Sequence, residues 1–344
     1  MKRNTLLFIA FSLVTLIALY TLCFKKHTGT AFYGDTGYEL VENWPQLPDT
    51  LHLGNPTGVG LDTNQNLVVF HRGTREWPYV LPMPTSTIPE NTILVLNKQS
   101  GKVIRRWGSG LFIMPHGLTV DNSNNIWLTD IGLHQIFKFS YEGKLLLKLG
   151  EAGVAGNDPY HFDKPTDIAI APDGSFYVSD GYGNSRIVKF SASGKYLMQW
   201  GKKGSKPVEF DIPHAIVLDK RGNVYVADRE NARVQVFTPN GVFIKEWQKD
   251  DWGSVCSISY DALKNRFIAV DDLTVFKLKH KGSDIISFDS VGNQLARFGR
   301  SGLYKGTRSW YHDVVVDRDG NIYVGDILSN KLQKFKPVFP AKKP

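Results

Sequence analysis

The chain is built from short stretches in which apolar and polar residues alternate, each closed off by Gly, Asn or Asp. Asn125-Ile126-Trp127-Leu128-Thr129-Asp130 and Asn223-Val224-Tyr225-Val226-Ala227-Asp228 are two of them. A period of two, carried by β-branched and aromatic residues, predicts strands rather than helices. The same pattern predicts strands over Arg186–Phe190, Arg233–Phe237 and Lys331–Phe335, and further ones over Tyr196–Trp200 and Phe243–Trp247.

These stretches recur in register. Units begin at Pro56-Thr57-Gly58-Val59, Pro115-His116-Gly117-Leu118, Pro165-Thr166-Asp167-Ile168 and Pro213-His214-Ala215-Ile216. A degenerate copy follows at Val255-Cys256-Ser257-Ile258 and a last one at Tyr311-His312-Asp313-Val314. Five residues after the second position stand Asp62, Asp121, Ala171, Asp219, Asp261 and Asp317. Four strands per unit and a spacing of roughly 40–60 residues describe the blade of a propeller. The expectation is an all-β fold, a six-bladed β-propeller. The sixth unit stops after its third strand, near Lys336-Pro337, and Tyr38–Trp44 reads like Lys195–Trp200. The N-terminal strand is therefore predicted to complete the last blade and leave no unpaired edge.

Ahead of the repeats, Lys2 and Arg3 precede an uncharged, mostly apolar run from Thr5 to Phe24, and Lys25-Lys26-His27 follow it. About 20 such residues span a bilayer as a helix. No small-x-small cleavage motif follows, so an uncleaved signal-anchor, a transmembrane helix over residues 1–24, is predicted. Cys23 offers a lipoprotein alternative, but bulky Leu22 stands where a small residue is expected. Residues 25–35 would be a linker and 36–338 the propeller. Charges on both flanks leave the positive-inside rule undecided; the expected location is membrane-anchored, with the propeller outside the cytoplasm. Cys256 is then the one cysteine of that domain, and an intramolecular disulfide is excluded there.

The formal charge is +8, which could suit an acidic partner. The basic residues are scattered, however, and the densest run, Lys202-Lys203-Gly204-Ser205-Lys206, lies in a turn-rich connector. Without a basic face interleaved with aromatics, a nucleic-acid partner is not expected.

The chemistry lies in the second position of the units. His116, His214 and His312 occupy it in units two, four and six; Thr57, Thr166 and Cys256 occupy it in the others. The first strand of each blade is nearest the axis, so alternate units present three imidazoles in threefold array. A lone histidine is more often an ordinary buried group, but three at one slot in alternate units point to a metal. Three nitrogens with an open position are the ligand set of catalytic zinc, although imidazole also suits copper, iron and nickel. Arg72, Arg229 and Tyr182 follow the second strands of units one, four and three and should face the same mouth. Arginines there can fork onto a carboxylate, and a tyrosine beside a metal can exchange protons. His71, His134 and His161 lie outside the slot and suggest supporting roles. Asp130, Asp180, Asp228 and Asp326 recur at strand ends, which points to turn hydrogen bonds rather than catalysis.

The repeat core, Gly222 to Asp228 followed by Asn231 to Phe237, resembles the NHL repeat. Phe70-His71-Arg72-Gly73, Met114 to Leu118, Ser179-Asp180-Gly181-Tyr182-Gly183-Asn184, Ala227 to Asn231 and His312-Asp313 together resemble peptidyl-α-hydroxyglycine α-amidating lyase, the lyase half of the peptidylglycine α-amidating monooxygenases. The likeness runs from about Gly54 to Lys336. It implies zinc on His116, His214 and His312, Tyr182 as the catalytic tyrosine, and Arg72 on the substrate carboxylate with Arg229 close by. It also implies a structural calcium on the carbonyls of Val59 and Leu118 and the carboxylate of Asp313. The implied reaction cleaves a peptide's C-terminal α-hydroxyglycine to an amide and glyoxylate. Gly183 and Tyr225 stand where animal members carry cysteines, and the hydroxylating domain is not in this sequence, so a separate monooxygenase would supply the substrate. Two other readings are a lactonase-like hydrolase, which typically puts carboxylates and Asn around its metal, and a non-catalytic NHL binding module.

Overall fold

The second strand of each blade is sealed on both faces, so alternation along it separates two neighbours rather than core from water. In Ile126–Asp130 every residue is buried. Ile126 and Leu128 pack toward Phe70 and Val95 of blade one, while Trp127 packs toward Ile168, Phe176 and Val178 of blade three. The same division recurs around the ring, giving an apolar core between each pair of neighbouring blades. Strands buried on both faces read as nearly continuous apolar runs. The molecule is stabilised between blades, and no single blade owns a core.

The computed structural model describes residues 37–78, 82–275, 279–300 and 308–338. The anchor expected over residues 1–24 and the linker over 25–35 lie outside the described residues. Among the described residues no helix is long and apolar enough to cross a membrane. Blades two, three and four are four-stranded antiparallel sheets in sequence order, as is blade one. The ring closes as expected: Tyr38–Leu40 pairs antiparallel with Lys331–Pro337 and becomes the outer strand of blade six. Trp44, just beyond it, packs edge-on against Tyr323 at 5.3 Å.

Two features depart from the repeat reading. Blade five has five strands, because Lys279–Gly282 folds back on its long second strand, Arg266–Val275. The lysine-rich connector is not merely a turn: Lys202–Lys203 forms a short parallel pair with Glu209–Phe210.

The aspartates that follow the first strands build the turns. Asp121 accepts the backbone N–H groups of Ser123 and Asn125, and its other oxygen holds Trp127 Nε1 at 3.1 Å. Asp219 and Asp317 repeat this arrangement toward Tyr225 and Tyr323. The aspartates at the ends of the second strands tie down the opposite loops. Asp130 accepts N–H groups from Ile113, Met114, Gly132 and Leu133. Turn chemistry accounts for both series.

Candidate active site at the propeller mouth

The first strands of blades two, four and six, Pro115–Val120, Pro213–Leu218 and Tyr311–Val316, bring three imidazoles together on the axis. Ring centroids of His116, His214 and His312 are 4.7, 4.7 and 4.9 Å apart, close to an equilateral triangle. One nitrogen from each lies within 4.8 Å of the others, and all three residues are buried.

The intervening blades orient these rings. His116 Nδ1 lies 2.8 Å from the Thr166 carbonyl, His214 Nδ1 2.6 Å from that of Cys256, and His312 Nδ1 2.7 Å from that of Thr57. A carbonyl only accepts, so each Nδ1 carries the proton and each Nε2 keeps its lone pair. Burial lowers the pKa of all three, reinforced by neighbouring arginines and, for His116 and His214, by the other histidines, with His312 at about 3. The rings are neutral at physiological pH, the state a metal requires. Close approach makes this possible. A Cβ on Gly117 would stand 2.3 Å from the Thr166 carbonyl that holds His116, and one on Gly181 would stand 2.2 Å from that of Pro213.

Tyr182 follows the second strand of blade three, Phe176–Asp180. Its hydroxyl lies 3.3 Å from His116 Nε2 and 3.1 Å from His214 Nε2. Arg229 Nη1 donates to the same hydroxyl at 3.0 Å, and Arg229 Nε to Glu230 Oε1. Burial alone would lower the Arg229 guanidinium, but the adjoining Tyr182 oxygen and other neighbours outweigh it and its pKa is raised. Arg72, after the second strand of blade one, is 1% exposed. Its Nε donates to the Pro115 carbonyl at 3.1 Å and its Nη1 to Asn55 at 3.3 Å, while Nη2 is buried with no partner. Burial lowers its pKa to about 10, which leaves it charged. One side of the mouth thus holds a neutral three-nitrogen set, a shared hydroxyl, and a buried cation with a free donor.

Comparison with known proteins gives the chain its relatives. The NHL repeat model matches residues 112–139, 162–190 and 210–237, within blades two to four. The chain is 37% identical over 338 residues to peptidyl-glycine alpha-amidating monooxygenase B of Xenopus laevis, covering 91% of this chain and 37% of that protein. It is 34% identical over 336 residues to peptidyl-alpha-hydroxyglycine alpha-amidating lyase 1 of Drosophila melanogaster, covering 87% of this chain and 59% of that one. The chain is a homologue of the amidating lyases. It spans less than two thirds of these relatives' lengths. Among solved structures, a gluconolactonase from Xanthomonas campestris superposes with a TM-score of 0.59 at 12% identity, over 90% of this chain and 92% of that one. At that identity the likeness concerns the propeller alone.

The positions that set this homologue apart from the animal lyases have their own supports. Gly183, one of the two positions where the resemblance puts a cysteine in animal members, is held by its N–H to the Asp163 carbonyl, and Tyr182 N–H reaches that of Lys164. Tyr225, at the other cysteine position, packs 4.2 Å from Phe267 and 5.2 Å from Trp247. Cys256 is free and buried. Of the remaining histidines, His71 accepts the Gly73 N–H at 3.1 Å inside blade one. His134 accepts the Lys164 N–H, and His161 pairs with Asp158 in an exposed loop.

Deeper along the axis, Asp313 accepts the Val59 N–H at 2.7 Å and the Ser257 hydroxyl at 2.6 Å. It lines a channel of about 700 Å³ with Val59, Leu118 and Asp167. Asp167 was not singled out from the sequence. Burial, and then the charge of Asp313, push its carboxyl well up, and burial raises Asp313 to about 6. Other contributions the sequence did not expose are the three orienting carbonyls and a loop of blade one that brings Trp77 within 5.7 Å of Tyr182. A His280–Asp272 pair stacked on Trp310 also went unseen. The carbonyls carry no residue-type signal, Asp167 lies in the repeat register beside the slot, and the Trp77 loop and the His280 pair lie outside that register.

Proposed function

We propose that the propeller is a zinc-dependent lyase that cleaves a C-terminal α-hydroxyglycine, in a peptide or other N-acyl compound, to an amide and glyoxylate. The observation that carries this reading is the Tyr182 hydroxyl, shared between two of three convergent neutral imidazoles and bound by Arg229. His116, His214 and His312 would hold the zinc. They are a buried set of three neutral nitrogens with no carboxylate among them, which fits a catalytic zinc and weighs against the lactonase-like alternative. Bound there, the ion supplies Lewis-acid polarisation of the α-hydroxyl.

The chain's own residues do the rest. Arg72 presents the unpartnered Nη2 to the glycine carboxylate, a charge-assisted contact that fixes the substrate's orientation. Tyr182 Oη takes the proton of the α-hydroxyl as the carbonyl of glyoxylate forms. The C–N bond breaks, and the proton passes to the departing amide nitrogen. Tyr182 accepts as its phenolate, and Arg229 Nη1, 3.0 Å from that oxygen, meets the negative charge it carries before the first transfer and again after the second.

Asp313, with the carbonyls of Val59 and Leu118, would hold a structural calcium. Oxygen donors suit that ion, and two buried carboxyls in one channel are a costly arrangement without a cation. Residues 1–24 would anchor the chain in the membrane with the propeller outside the cytoplasm. A separate monooxygenase would supply the hydroxylated substrate. The test is glyoxylate release from benzoyl-α-hydroxyglycine, followed together with zinc content. Purified protein that binds about one zinc and releases glyoxylate meets it; zinc-loaded protein that releases none refutes the lyase.

A further inference from the structure

The polar groups of the mouth stop at an apolar wall. Ile113 and Met114 are buried at its base; Trp77, Met83 and Leu133 pack over them beside Tyr182 and keep part of their surface open. Trp77 joins this wall to the reacting groups. Its ring is 5.7 Å from that of Tyr182, and the Arg72 guanidinium stands 5.0 Å over it. The free Nη2 of Arg72, buried and unpartnered, marks the corner as one that receives an anionic group.

A molecule pinned there by a carboxylate, with its reacting carbon at Tyr182, carries its next residue one backbone step away, about 3.8 Å. That reach is enough for the side chain of this residue to touch Trp77. Most ligand pockets combine a few fixed polar contacts with an apolar lining of this kind. We infer that Trp77, Met83 and Leu133 form the subsite for the residue preceding the α-hydroxyglycine, and that it takes a large apolar or aromatic side chain. This inference rests on the lyase reading. A small residue at that place leaves the wall in water, and a basic one meets the charges of Arg72 and Arg229.

The experiment compares N-acetyl-Phe-α-hydroxyglycine with N-acetyl-Gly-α-hydroxyglycine, using the zinc-loaded full-length chain and reading glyoxylate. The Phe compound should show kcat/KM at least about tenfold higher, the discrimination an apolar pocket gives. Met83→Ala and Leu133→Ala each lower that ratio severalfold. Met83 sits on a partly exposed loop, which keeps one variant clear of folding effects. Trp77→Ala lowers the ratio furthest. A ratio near one in the wild type, or one that neither Met83→Ala nor Leu133→Ala alters, overturns the subsite while leaving the lyase standing. No glyoxylate from either compound sinks the lyase reading, and the subsite with it.

Discussion

Even-numbered and odd-numbered blades perform different tasks at the same position of the same repeat. Blades two, four and six contribute side chains, the imidazoles of His116, His214 and His312. Blades one, three and five contribute backbone, the carbonyls of Thr57, Thr166 and Cys256 that receive the Nδ1 protons. A sixfold scaffold thereby yields a threefold site in which each imidazole is oriented by the next blade. Orienting partners of this type set the tautomer and direction of a metal-binding histidine. The contrast teaches that substitution at this one slot should be punishing on one set of blades and mild on the other.

The largest effect is expected on the even side. His214→Ala removes one of three nitrogens and lowers turnover by on the order of a thousandfold or more, with zinc content falling in parallel. Full zinc occupancy in this variant would break the comparison outright. Tyr182→Phe comes next. It keeps every nitrogen but loses the proton carrier, so turnover should drop by about 10²–10⁴ while zinc is retained. Single-turnover glyoxylate release with metal analysis on the same sample separates the two variants.

Much of this was legible because the repeat imposes a register. Once the six units are aligned, the three histidines fall at one slot and closure by Tyr38–Leu40 follows from the missing strand of blade six. Arg72, Arg229 and Tyr182 were placed at the mouth by the same counting, since each follows a second strand. What escaped lies outside that register. Trp77 and Met83 sit in the long connection between Leu67–His71 and Ile93–Leu96, which no other blade matches. The extra strand of blade five, Lys279–Gly282, is likewise an insertion. The orienting carbonyls were hidden for a different reason: every residue has one, so no residue type announces it. Asp167 follows the slot in blade three as Asp313 does in blade six, but the opposing placement became evident only in three dimensions.

An odd-blade histidine sharpens the contrast from the side of stability. His71 stands at the strand end where blades two, three, four and six carry aspartate, and it accepts the Gly73 N–H as Asp130 accepts that of Gly132. Burial lowers its pKa from 6.5 to about 4, partly offset by the Asn91 backbone and Glu90. As pH falls below 6.5 the unfolded chain takes up a proton that the folded one refuses, so stability is lost between 6.5 and 4. At about 1.4 kcal/mol per unit, the full loss is roughly 3.5 kcal/mol. His71→Asn keeps an acceptor without titrating. Urea unfolding at pH 7 and pH 4.5 should show the wild type losing about 2–3 kcal/mol more than this variant; equal losses would exclude His71 as a source of acid sensitivity.

The smallest effect is expected at Cys256, and it tests the odd-blade assignment most directly. Its side chain occupies the histidine slot, next to two metal-ligand candidates, and a thiol there could be read as a fourth ligand. The structure argues otherwise. The thiol is buried in the core between blades five and six, and burial pushes its pKa up to about 12, against the pull of Arg229. Its Sγ–H donates to the Ser254 carbonyl at 3.5 Å, and it lies outside the group of atoms that converge with the three imidazoles. What His214 uses is the Cys256 carbonyl, which any residue supplies. Cys256→Ala should therefore cost about 1 kcal/mol in stability through lost packing, with zinc content unchanged and kcat within about twofold of wild type. A tenfold fall in either would mean that the odd blades contribute a side chain at this slot as well, and the division of labour there between alternate blades would fail.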